Sequence, residues 1–278
     1  MLLKFHLLRT LAAAATLTLA ACAGTPEPVG EPRQETVWAV TDQAELVRFN
    51  AGQPTRLQQR LPLQGLEPGD KLVGIDFRVA RGVLYALSSR GRLYTLDTRT
   101  GRLAPVANGP LVVLQGERFG VDFNPVADRV RVVSDSGQNL RLHPDTGTLA
   151  ATDPPLHGAG AAPRVAGAAY TYNKNNDKLT TNYAIDLATG TLLAQGSIEG
   201  VQPVVSPNTG TLAVVGALGT GALDDASFDI ADIGNTALAA LRQDGRTRLH
   251  LLDLATGRAT LLGTVGKGRA LWGLAIEP

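Results

Sequence analysis

Residues 118–147 read RFGVDFNPVADRVRVVSDSGQNLRLHPDTG. An apolar phrase, Gly120-Val121-Asp122-Phe123, opens the stretch. A β-branched run at residues 129–134, a second short run at 139–142 and a Pro-Asp-Thr-Gly turn follow. Short runs of this kind, separated by Gly, Asp, Asn and Pro, read as strands joined by tight hairpins. The opening phrase recurs as Gly74-Ile75-Asp76-Phe77, Gly167-Ala168-Ala169-Tyr170, Ser227-Phe228-Asp229-Ile230 and Gly273-Leu274-Ala275-Ile276. The intervals between copies are 46, 47, 60 and 46 residues. A period in the forties is the spacing of β-propeller blades.

Each copy leads into the same grammar. After Phe77 come a run at residues 83–87, a turn at Ser89-Arg90-Gly91, a run at 93–96, the turn Asp97-Thr98-Arg99-Thr100-Gly101 and a last run at 103–106. The Asp-x-x-Thr-Gly turn returns at Asp186 to Gly190 and at Asp253 to Gly257. In such a turn Asp accepts from the turn backbone and Gly takes positive φ at its end. No segment between the turns has helical periodicity. Residues 36–66 carry three runs but lack the opening strand, while residues 271–276 carry that strand alone. The two ends therefore complete one blade between them, which removes two exposed sheet edges. The expectation is an all-β propeller of five four-stranded antiparallel blades over residues 36–278. The 60-residue interval is read as four strands with longer loops rather than as a sixth blade.

Composition bounds the rest. The chain has 278 residues, 44% of them hydrophobic, enough for a sizeable core. Lys plus Arg is 26 against 25 Asp plus Glu, so no basic excess argues for nucleic acid. The single cysteine excludes a disulfide framework and a Cys-based zinc site. That cysteine, Cys22, closes residues 1–21, where Lys4 and Arg9 precede an uncharged apolar run too short for a membrane span. Leu19-Ala20-Ala21-Cys22 resembles the bacterial lipoprotein lipobox. The resemblance implies cleavage before Cys22, acylation of Cys22 and a lipid anchor in the membrane. Ala23 follows, where an Asp would favour the inner membrane in that pattern, so the outer membrane is preferred. Residues 22–35 then read as a lipidated flexible tether.

The phrases Gly120 to Pro125, Asp128 to Ser134, Gly137 to Arg141 and His143 to Gly147 resemble those of a bacterial family of exported proteins, domain-of-unknown-function family 4394. The similarity extends over about residues 36–278 and includes residues 203–210, PVVSPNTG. It implies a β-propeller-like domain and supplies no catalytic residues. The copy at Gly167 to Tyr170 lacks the acid, which puts in doubt any role that needs it in every blade.

A search for chemistry finds no His-Glu-x-x-His, Gly-x-Ser-x-Gly, P-loop or EF-hand run. His143 reads as a solvated turn residue, His157 as part of a Gly-rich loop, and His250 as facing out from a strand. Residues 134–137, SDSG, and 173–177, NKNND, read as hairpin turns. The constellation to weigh is Asp76, Asp122 and Asp229, at equivalent positions of the opening strand. Arg118, Arg164 and Arg269 lie two to four residues before the repeat starts, with Lys71. The acids either bind a hard cation such as calcium in the channel, or accept hydrogen bonds from neighbouring backbone or a nearby Arg, fixing blade to blade, or serve a substrate. Unpaired buried carboxylates are costly, which favours the paired structural role. The functional expectation is an anchored, monomeric binding or scaffold module meeting an envelope protein or glycan. The alternative is an envelope hydrolase or lyase with its site at one mouth of the channel.

Overall fold

The computed structural model describes residues 30–107, 109–160 and 162–278; Cys22 and residues 1–21, read above as an export signal, lie outside them. Each repeat folds as a blade. Strands β1 (Thr36–Thr41), β2 (Glu45–Asn50) and β3 (Leu57–Pro62) begin the chain. The first full blade is β4 (Leu72–Arg78), β5 (Val83–Ser88), β6 (Leu93–Leu96) and β7 (Leu103–Pro105). The second is β8 (Phe119–Asn124), β9 (Arg129–Ser134), β10 (Asn139–Leu142) and β11 (Leu149–Thr152). The third holds β12 (His157–Gly158), β13 (Val165–Tyr170), β14 (Asn182–Asp186), β15 (Thr191–Gln195) and β16 (Thr211–Ala217). The fourth is β17 (Asp225–Ile230), β18 (Ala237–Gln243), β19 (Arg246–Leu252) and β20 (Ala259–Thr264), and β21 (Leu271–Ile276) ends the chain.

The fifth, closing blade has the order β21-β1-β2-β3. Both chain ends thus build it, with Val37 opposite Ile276 and Ala39 opposite Leu274. The propeller has five blades, and the long interval is absorbed by loops 171–181 and 196–210 of the third. That blade also gains β12 as a parallel fifth strand against β16, so His157 belongs to a short strand, not to the loop expected for it. Among the described residues the only helical turns are two 3-10 turns, Val79–Arg81 and Pro207–Thr209.

The core is divided among the five interfaces between adjacent blades. Trp38, Val40 and Leu46 of the closing blade meet Ile75, Phe77 and Tyr94 of the first. Ala169, Ile185 and Leu192 of the third meet Phe228, Ala239 and Leu252 of the fourth. The turns hold as read: the Asp97 Oδ1 accepts from the Arg99 amide at 2.8 Å, the Asp253 Oδ1 accepts from the Ala255 amide at 2.8 Å, and Gly101 and Gly257 have φ of 73° and 79°. His250 departs from expectation. It is buried, its Nδ1 lies 3.2 Å from the Arg248 carbonyl oxygen, and burial pushes its pKa down. Alternation misleads at this position because the middle strand of a blade is covered on both faces by neighbouring blades.

Candidate functional site

The five inner strands, β4, β8, β13, β17 and β21, run in the same sense around the axis and set equivalent residues at equal heights. At one height stand Gly74, Gly120, Gly167, Ser227 and Gly273. These glycines are required by close approach. A Cβ on Gly120 would lie 2.5 Å from the Ala168 amide nitrogen, and one on Gly273 would lie 2.7 Å from that of Ile75. The gap left at this waist is only ≈ 10 Å³, about the room one water molecule needs.

Two residues further along each strand is the position of the acids. Asp76, Asp122 and Asp229 converge there, each offering a carboxylate oxygen within 4.8 Å of the others. They are 5%, 3% and 6% exposed. The Asp76 Oδ2 accepts from the Phe123 amide of the second blade at 2.6 Å, and its Oδ1 from its own neighbour Phe77 at 2.7 Å. The Asp122 Oδ1 accepts from the Tyr170 amide of the third blade at 3.1 Å. The Asp229 Oδ2 accepts from the Ile276 amide of the closing blade, and its Oδ1 from Ile230, both at 2.6 Å. Every inner strand thus has the amide after the acid position satisfied by a carboxylate. Ala169 and Ala275 supply no acid, and they precede Asp229 and Asp76 around the ring. Those two carboxylates turn their second oxygen back on their own strands. Three acids therefore serve five amides.

Five of the six carboxylate oxygens are committed in this way; the Asp122 Oδ2 has no backbone partner. Burial pushes Asp76 well above the ordinary carboxylate range, the Asp229 charge adds to it, and the backbone amides pull the other way. Asp122 is raised by burial, then by Asp76 and Asp229, and Asp229 is pushed up to about 6 by burial. Three close acids cannot all ionise. Asp122, with its free oxygen, is the natural holder of the shared proton. Asp76, Asp122 and Asp229 are also the residues able to hold a metal. Against that use, a hard cation prefers six to eight oxygens, and these oxygens already serve amides. Tyr172 lies over the same end, its hydroxyl raised by burial and then by the three acids. The Asn235 side chain clamps its backbone, accepting from the Tyr172 amide at 2.7 Å and donating to its carbonyl at 3.0 Å.

The arginines are elsewhere. They sit before the glycine waist, four to six residues or roughly 13–20 Å from the acid position of the strand each precedes, and none pairs with Asp76, Asp122 or Asp229. Arg118 reaches across the axis from the second blade to the fourth, its Nε 3.4 Å from the Asp225 Oδ2. Arg164 lies 3.7 Å from Asp135, and Arg269 lies 3.2 Å from Asp42. Arg118 and Asp225, with Lys71, Glu117, Arg242 and Trp272, line a cavity of ≈ 120 Å³ at this mouth. Burial pushes Asp225 up to about 6, with Arg118 and Arg242 opposing.

Residue-by-residue reading missed two buried arginine networks. The Arg131 guanidinium is 1% exposed and donates to the Asn139 Oδ1 at 2.7 Å, the Asp153 Oδ2 at 2.7 Å, the Tyr170 hydroxyl at 3.1 Å and the Asn208 Oδ1. Arg141 adds a bidentate pair on Asp153, both bonds at 2.8 Å. Arg78 of the first blade binds Asp128 and Asp145 of the second, and those bonds raise its pKa. The signal was an arginine inside the β-branched run of residues 129–134, with Asn139, Arg141, Asp145 and Asn208 all inside the recurring phrases. Residues 134–137 form the β9–β10 turn, where the Asp135 Oδ1 accepts from the Glu117 amide at 2.8 Å. Residues 173–177 lie in the connection from β13 to β14.

The model of a domain of unknown function, DUF4394, matches residues 45–275. No curated protein matches the sequence. Among solved structures, one described as a nidogen/laminin complex is similar at 12% identity, covering 88% of this chain and 98% of that one, with a TM-score of 0.45. A structural genomics protein of unknown function from Bacteroides thetaiotaomicron is similar at 10% identity, covering 84% of this chain and 61% of that one, with a TM-score of 0.48.

Proposed function

The chain belongs to the DUF4394 family, and from that premise we propose that it is a lipid-anchored envelope protein whose propeller is a binding or scaffold module. The observation that supports this most is the commitment of the inner acids. A catalytic carboxylate must reach a proton or an electrophile on its substrate. Asp76, Asp122 and Asp229 instead spend five oxygens on the backbone of adjoining blades. The axis thus carries the load of closure, and recognition is left to the mouths, where an envelope protein or glycan is met.

The second reading, a hydrolase or lyase, is favoured by Asp225. A carboxyl held near pH 6 beside Arg118 in a cavity has the features of an acid–base residue. A screen of the full chain against envelope proteins and glycans, run beside a hydrolase and lyase substrate panel, separates the two. The module reading expects saturable binding without turnover. Turnover that disappears in Asp225→Asn would replace it with the enzyme reading.

The anchor has its own test. Cys22→Ser is expected to abolish acylation and move the protein from the membrane to the soluble fraction. Continued membrane association of that variant at high salt would remove the anchor from the proposal.

A further inference from the structure

We propose that the end of the propeller bearing the acid ring and Tyr172 rests on the lipid bilayer, with loops 171–181, 196–210 and 231–236 dipping into its interfacial layer. The inference relies on the lipid anchor at Cys22 and adds to it the orientation of the whole domain.

The first observation is where the chain enters. Thr36 begins β1 opposite Asn50, and its carbonyl accepts from the Glu277 amide at 2.9 Å, just past the end of β21. The end of β21 stands at the height of the acid ring, since the Ile276 amide is one of the five that the ring satisfies. The N-terminal segment therefore joins the propeller at the acid end. It also touches one of the loops in question, because the Thr236 side chain hydrogen-bonds Glu35. Only seven residues, eight Cα–Cα steps, separate Cys22 from Gly30. Fully extended they reach no more than roughly 29 Å, and a compact domain of this length is roughly 45 Å across. A tether that short favours contact of the membrane with the end at which the chain enters over the opposite mouth, with Arg118 and Asp225.

The second observation is what that end exposes. Leu179, Ile198, Val201, Val204 and Ile233 are all exposed, Val204 by 73%. All five belong to the three loops. The loops are continuous: Glu199 accepts from the Thr171 hydroxyl at 2.9 Å and the Asn173 amide at 2.7 Å, and the Asn235 clamp ties the third loop to Tyr172. Exposed aliphatic side chains on connected loops suit an interface where apolar groups meet acyl chains.

The test uses the full, acylated chain in vesicles of phosphatidylethanolamine and phosphatidylglycerol. Cys22 is consumed by acylation, so Leu179→Cys, Val204→Cys and Ile233→Cys each carry one environment-sensitive fluorophore. Val113→Cys, exposed in the segment leading to Arg118, reports the opposite mouth. Nitroxide placed at the headgroup is expected to quench the three loop labels several-fold more than the label at 113. Protein that floats with the vesicles yet shows equal quenching at all four positions keeps its anchor and overturns the orientation, leaving the apolar loops to a protein partner. Protein that does not float at all removes the anchor and the orientation together.

Discussion

Removal of residues 271–278 is expected to abolish the cooperative fold, whereas removal of Glu277 and Pro278 alone is expected to cost little. The longer deletion takes away β21, and with it the buried side chains of Leu271, Leu274 and Ile276. Each is worth roughly 1.5–3 kcal/mol on burial, so the three approach the whole stability of a typical domain, about 5–15 kcal/mol. Strand β1 loses its partner on one side, and the Asp229 Oδ2 loses the Ile276 amide. The shorter deletion removes only an exposed ion pair between Glu277 and Arg48 and one backbone bond to Thr36. Thermal and urea unfolding measure both. A 1–270 chain that melts as the intact protein does would show that the ring is not closed by its two ends.

Substitution of the acid ring is expected to split by position. Asp76 and Asp229 each accept two amides, so an Asn there must turn its NH2 toward a backbone N–H. Asp76→Asn and Asp229→Asn should each cost about 1–3 kcal/mol, the range for losing a charged partner and stranding a buried donor. Asp122 accepts one amide, which Asn can keep, and Asn stays neutral beside Asp76 and Asp229 without having to hold a proton. Asp122→Asn should therefore be neutral or stabilising at neutral pH. The sign of the pH dependence follows from the same groups. Their folded pKa values are raised, so the folded state holds more protons than the unfolded state above the ordinary value of 3.8. The contribution of the ring to stability is then greatest below that value and falls as pH rises through about 6, where Asp229 titrates, and on through the higher range of Asp76 and Asp122. Melting temperatures of the four proteins across pH 4 to 8 check this, with Asp122→Asn expected to flatten the profile. Each series is repeated with calcium and with chelator. A calcium-dependent rise in melting temperature that Asp122→Asn removes would turn the ring from a structural device into a cation site.

The architecture was legible in the sequence because a blade is a local object. Its strands, hairpins and Asp-x-x-Thr-Gly turns are written in consecutive residues, and the missing opening strand before residue 36 announced the closure. The candidate site was legible only in part. The repeat marked Asp76, Asp122 and Asp229 as equivalent, but equivalence does not say which neighbour each one faces. Arg118 sits four residues from Asp122, and Arg164 and Arg269 stand likewise before Ala169 and Ala275, yet a strand carries residues that far apart to different heights of the axis, and the acids pair with amides instead. The lack of an acid at Ala169 and Ala275 counted against a role in every blade. It does not prevent one, because a carboxylate has two oxygens and Asp229 and Asp76 use both. Arg131 and Arg78 stayed hidden for a related reason. Their partners Asn208, Asp128 and Asp145 come from the next blade, 50 to 77 residues away.

The closing blade also sets an order of events for a chain that is made from its N-terminus onward. Strands β1 to β3 emerge before the other blades and wait for β21, the last strand of the ring. Until then the inner edge of β1 presents unpaired backbone groups and the bare side chains of Val37 and Ala39, the kind of edge that recruits other strands. The other four blades can form their hairpins as they appear, but the ring cannot lock until β21 has been made. The pairing of Val37 with Ile276 is among the most distant in the chain, and contacts of such separation slow folding. Acquisition of the native state is therefore timed by the final strand, and the nascent protein passes through a stage in which a holding factor for β1 has the most to protect.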